Sequence, residues 1–185
     1  GGSKKIDVQK FIVRSATSSG PYYPDNFDYS YTIRRDSNSL INSKNPLVLI
    51  HGLGGKNDTA SFEDNAGYWY TIPGDFIDNG HQVWEFYYTP NDLKMENGGV
   101  LLEDALKRIL LNYPEKKADL VTHSMGGLIS RTYINDLSKD SSNNIIYYQN
   151  NVRSLVMIGT PNYGSHLSNI CTSSNVIIYL FCAIA

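Results

Sequence analysis

The sequence predicts an α/β fold with a mostly parallel, doubly wound sheet. Three observations predict it. Largely apolar runs at 47–50, 118–121 and 152–158 read as strands buried on both faces. Helical patterns lie between such runs. The clearest places Val100, Leu101, Ala105, Leu106, Ile109 and Leu110 on one face, with Glu103, Asp104, Lys107 and Arg108 opposite or at its margins. Finally, Thr122-His123-Ser124-Met125-Gly126 joins a strand directly to a helix. With 185 residues, 41% of them hydrophobic, one core and one domain over 1–185 are expected.

Taken in order, residues 6–13 are mostly apolar and form a first strand. Residues 27–33 alternate Phe27, Tyr29, Tyr31 and Ile33 with polar neighbours, the pattern of a half-exposed strand at a sheet edge. A polar stretch from Asp36 to Asn45 leads into the strand 47–50. Residues 61–79 are helical in parts, interrupted at Pro73-Gly74 and ended by Asn79-Gly80. Gln82 to Tyr88 is a further strand, closed by Thr89-Pro90-Asn91-Asp92. Tyr113-Pro114 ends the helix that follows. Then come a strand at 118–122, a helix at 125–137, a polar loop from Ser138 to Asn144 and the strand 152–158. The tail from Val176 to Ala185 carries no charge. It is too short for a bilayer, which takes about twenty residues. Its composition suits core packing.

Composition narrows the function classes. A net charge of −2 and a pI near 6.1 give no electrostatic case for nucleic acid. Fourteen tyrosines suit core edges and apolar binding clefts. Cys171 and Cys182 are spaced for a local disulfide, and two free thiols are the equal alternative. Asn57-Asp58-Thr59 matches the glycosylation triplet. No histidine pair has metal-ligand spacing, so no metal site is expected from these residues.

The chemistry concentrates at residue 124. A serine at a tight strand-to-helix turn takes a strained conformation, and its hydroxyl projects from the top of the sheet. Gly126 avoids a collision with the neighbouring strand. Thr122 stands where the usual pattern has a second glycine. Upstream, Ile50-His51-Gly52-Leu53-Gly54-Gly55 opens a buried strand into a glycine loop, whose N–H groups can approach a ligand. Of the remaining histidines, His51 is expected to bond to backbone, His123 to point away from the serine, and His81 to be exposed.

These segments, with Gly67-Tyr68-Trp69-Tyr70-Thr71-Ile72-Pro73, His123-Ser124-Met125-Gly126-Gly127-Leu128 and Gly159-Thr160-Pro161-Asn162-Tyr163-Gly164-Ser165, resemble the bacterial true lipases of the α/β-hydrolase fold. Those are the triacylglycerol lipases of the kind secreted by Pseudomonas and Burkholderia. The resemblance covers about residues 46–168. It implies that Ser124 is the nucleophile of a serine ester hydrolase, with the backbone N–H groups of Leu53 and Met125 as the oxyanion hole. It implies an ester or lipid substrate met at a lipid–water interface, a secreted protein, and a lid or cap beginning within 166–185. Relatives also hold a calcium ion, for which no ligands are identified here.

Such a serine needs a histidine base held by a carboxylate, in the order serine, acid, histidine. After Ser124 stand Asp136, Asp140 and one histidine, His166. Both aspartates belong to a region far from the top of the sheet, and His166 is a weak candidate. The sequence therefore reads as C-terminally incomplete, the acid and histidine coming from a missing segment or a second chain. The alternative is a non-catalytic lipid-binding protein on the same fold.

Overall fold

A computed structural model describes residues 6–14, 28–36, 44–55, 67–89, 94–140 and 142–164. Asn57, His166, Cys171, Cys182 and the tail 176–185 lie outside the described residues. The strands are β1 (Ile6–Arg14), β2 (Asp28–Asp36), β3 (Leu47–Ile50), β4 (Val83–Thr89), β5 (Ala118–His123), β6 (Ser138–Lys139), β7 (Ile145–Ile146) and β8 (Val152–Ile158). The helices are α1 (Ile72–Asp78), α2 (Met95–Leu110) and α3 (Met125–Ile134). Six strands form one sheet in the order β1-β2-β4-β3-β5-β8. β4, β3, β5 and β8 run parallel, and β1 and β2 join antiparallel at one side. This is the α/β-hydrolase arrangement of a mostly parallel sheet clothed by helices.

Period-two alternation sorts the side chains onto two faces. Val48, Ile50, Trp84, Phe86, Tyr88 and Leu120 pack with Leu101, Leu102, Leu106 and Ile109 of α2 and with Ile129 and Tyr133 of α3. Leu47, Leu49, Val83 and Val121 face the other way, against Trp69 and the half-buried Tyr68, Phe76 and Ile77 of the α1 region. All four β3 residues are buried, as a continuous apolar run requires. Among the described residues no helix is long and apolar enough to cross a membrane.

Several expectations change. β2 is neither an edge nor half-exposed: β1 pairs along its whole length and makes the edge, so Tyr31, Ile33 and even Arg34 are buried. Pro73 does not interrupt a helix but starts one, in the first turn, where its missing N–H costs nothing. The helix after Ser124 stops at Ile134, and Ser138 and Lys139 pair with Ile145 and Ile146 in a small hairpin rather than a loop. β8 is not buried. It pairs with β5 alone among the described residues, and Val156, Met157 and Ile158 are exposed.

Candidate active site

The chain leaves β3 for β4 on one side and leaves β5 for β8 on the other. The carboxyl ends of β3 and β5, which lie side by side, therefore open into a crevice where the strand order reverses. Open α/β sheets bind ligands at such a point. The residues that reach it are the loop 51–55 after β3 and Ser124 after β5.

Ser124 has φ 50° and ψ −121°. A non-glycine residue with positive φ is strained by about 1–3 kcal/mol and persists only where its surroundings enforce it. Here the enforcement is visible. The Ser124 N–H donates to the Ile158 carbonyl at 2.9 Å, and the Ser124 carbonyl accepts from the Gly127 N–H at 3.1 Å. α3 starts at the next residue, so Ser124 holds the N-cap position. An ordinary N-cap serine has extended dihedrals and spends its hydroxyl on the helix. Ser124 makes no side-chain cap hydrogen bond, so its oxygen is not used by the helix it precedes.

Close packing explains the flanking residues. A Cβ on Gly126 would lie 2.5 Å from the His51 carbonyl oxygen and 2.6 Å from that of Ile50. Thr122, in place of the expected small residue, is fully buried and donates from Oγ1 to the Val156 carbonyl at 3.1 Å, so its bulk is accommodated against β8. Gly52 brings the loop against the turn: a Cβ there would lie 2.7 Å from the Ser124 Cβ and 2.8 Å from the Tyr68 hydroxyl. Leu53 is exposed and Met125 half-buried. Among the described residues no main-chain carbonyl accepts from either N–H, and Met125 as the first residue of α3 has no intrahelical acceptor.

Two rings hold Gly52. The Tyr88 N–H donates to His51 Nε2 at 3.2 Å, which leaves the proton on Nδ1 to donate to the Gly52 carbonyl at 2.7 Å. The ring is stacked on Tyr88 with centroids 4.0 Å apart, and burial pushes it down to about 4, so it stays neutral. The Gly52 N–H donates to the Tyr68 hydroxyl at 2.9 Å, and that hydroxyl meets His123 Nδ1 at 2.5 Å. Burial pushes the phenol's pKa up, opposed by the Gly52 N–H. His51 thus bonds to backbone as expected, and His123 is engaged with Tyr68. Sequence reasoning missed Tyr68 as a partner, because nothing in a spacing of sixteen residues reveals contact across the crevice.

The downstream acids are occupied elsewhere. Asp136 Oδ1 accepts from the Tyr148 N–H at 2.6 Å, and Asp140 Oδ1 accepts from the N–H groups of Ser142 and Asn144. The loop after β8 is tied back to α3, where Arg131 donates to Asn162 at 2.8 Å. Among the described residues no three of His, Cys, Asp or Glu gather where a metal ion could sit.

A profile of the Lipase (class 2) family matches residues 44–184. Triacylglycerol lipases of Pseudarthrobacter phenanthrenivorans and Burkholderia plantarii are each 30% identical over 126 residues, 67% of this chain. The match covers 35% of the first and 31% of the second, so the chain spans about a third of these relatives' length. Among solved structures, the mature form of Bacillus licheniformis lipase BlEst2 aligns over 71% of this chain and 47% of its own, with a TM-score of 0.53 and 26% identity.

Proposed function

Because the chain belongs to the Lipase (class 2) family, we propose that it hydrolyses carboxylic esters, lipids among them, through an acyl-enzyme on Ser124. The observation that carries this is the enforced positive φ of Ser124, with a hydroxyl that declines to cap its own helix.

In this mechanism Ser124 Oγ attacks the ester carbonyl carbon while a base takes the hydroxyl proton. The carbonyl oxygen becomes an oxyanion, and the N–H groups of Leu53 and Met125 donate to it. One such donor contributes about 3 kcal/mol to the transition state. The positive end of α3 adds to this stabilisation. Collapse of the tetrahedral intermediate breaks the ester C–O bond, and the protonated base returns its proton to the leaving alcohol. Water then attacks the acyl-enzyme by the same route, releasing the carboxylic acid and Ser124.

The three described histidines do not serve as that base in this scheme. His51 is buried and neutral, His123 is engaged with Tyr68, and His81 precedes β4 at the opposite end of the sheet. We place the base and its acid outside the described residues, at His166 or in a segment or chain beyond those given. Leu53, on the loop that opens into the crevice, is exposed and suits an apolar acyl chain at a lipid–water interface. The likeness to secreted lipases extends the proposal to work outside the cell.

Reaction with a fluorophosphonate, read by intact mass, is the test. The expected result is one adduct on Ser124, absent from Ser124→Ala. Equal lack of labelling in both, with lipid vesicles still bound, would instead support the non-catalytic lipid-binding reading.

A further inference from the structure

Both polar groups of the Gly52 main chain are held by side chains. Its N–H donates to the Tyr68 hydroxyl at 2.9 Å. Its carbonyl accepts from His51 Nδ1 at 2.7 Å and from the Gly55 N–H at 3.3 Å. The Gly52 carbonyl and the Leu53 N–H belong to one peptide plane, and in a trans peptide they point in opposite directions. A carbonyl drawn onto the buried His51 ring therefore turns the Leu53 N–H away from that ring. Leu53 itself has no side-chain or main-chain partner among the described residues to fix its N–H. Its direction is set one residue upstream.

The Tyr68 hydroxyl reaches further than Gly52. It receives the Gly52 N–H and also meets His123 Nδ1, at 2.5 Å. One oxygen thus bonds the residue before Leu53 to the residue before Ser124. It also sits where the loop and turn nearly touch, 2.8 Å from a Cβ that Gly52 does not have. The ring is anchored against Trp69 with centroids 5.5 Å apart and against His51 at 5.6 Å.

We propose that Tyr68 is a positioning residue. Its hydroxyl, with His51 on the other side, clamps the Gly52 peptide between the loop and the turn and so aims the Leu53 N–H at the oxyanion formed on Ser124. The proposal rests on the esterase reading above. Tyr68 touches no reacting atom. It acts through the register of two donors, whose value falls steeply when they are misplaced by a fraction of an ångström.

The test uses the same fluorophosphonate, with the maximal labelling rate separated from the half-saturating concentration. Tyr68→Phe removes one oxygen atom and keeps the ring. It is expected to label at least tenfold more slowly at saturation, with an unchanged half-saturating concentration. Tyr147→Phe, an exposed tyrosine that follows β7, is expected to label like the parent. If Tyr68→Phe labels as fast as the parent, the clamp is wrong and the esterase reading stands. If the parent itself is not labelled, both fall. Should Tyr68→Phe fail to fold, hydrogen exchange of the Gly52 amide in the parent decides. Protection of a hundredfold or more over an unstructured glycine supports the clamp, and free exchange overturns it.

Discussion

At the scale of single residues, the crevice is built from positions where one atom more or less decides the outcome. Gly126 faces two main-chain carbonyl oxygens that cannot move aside, at 2.5 and 2.6 Å from the site of a Cβ. Gly126→Ala is expected to cost about 1–3 kcal/mol or more, as overpacking does, and urea titration reads the cost directly. An unchanged midpoint would show that β3 and α3 are less tightly apposed than described. His51 makes a pH prediction. Burial holds it at about 4 against 6.5 for the exposed group, so the unfolded chain binds its proton first. The stability tied to a neutral ring is complete above pH 6.5 and is lost progressively as pH falls towards 4, by on the order of 3 kcal/mol. The ring's C2 proton shift should not move between pH 8 and pH 5.5, while the urea midpoint falls over that range. A His51 titrating near 6.5 would contradict this.

At the scale of elements, β2 and β4 are joined by a buried ion pair. Arg34 and Glu85 stand directly opposite each other in the ladder, and the Arg34 Nε donates to Glu85 Oε2. Both are nearly inaccessible to water. Burial pushes the Glu85 carboxyl up, and the Arg34 guanidinium pulls it back. Removing one partner leaves the other charge buried. Glu85→Leu alone is therefore expected to destabilise by about 3–5 kcal/mol, and Arg34→Met with Glu85→Leu together by much less. A double variant as unstable as the sum of the singles would mean that the two charges do not depend on each other. The alternation of β2 correctly announced a strand, but it could not reveal that the polar positions are buried too. Their burial depends on distant segments, Glu85 and Tyr87 of β4 against Arg34 among them, a fact of neighbours rather than of pattern.

At the scale of the whole molecule, β1 and β8 are the two outer strands of the sheet among the described residues. Val156 is 51% exposed and lies on a strand with one partner among the described residues. An apolar edge of this kind is a template for pairing with another strand. The 185-residue chain is expected to self-associate, and Val156→Lys to shift it towards monomer in sedimentation velocity at little cost in stability. The same distribution for both would remove the edge as the cause. The order of the main-sheet strands and the helices, the buried β3 and β5, the amphipathic α2 and the turn at Ser124 were legible in the sequence, because each follows from local periodicity or from a turn that only certain residues tolerate. The pairing order, the exposure of β8, the burial of Arg34 and Glu85, and the meeting of Tyr68, Gly52 and His123 were decided by tertiary structure. Hydrophobic period and turn chemistry constrain a residue relative to its chain neighbours, whereas these features depend on which distant segments the sheet brings to lie alongside one another.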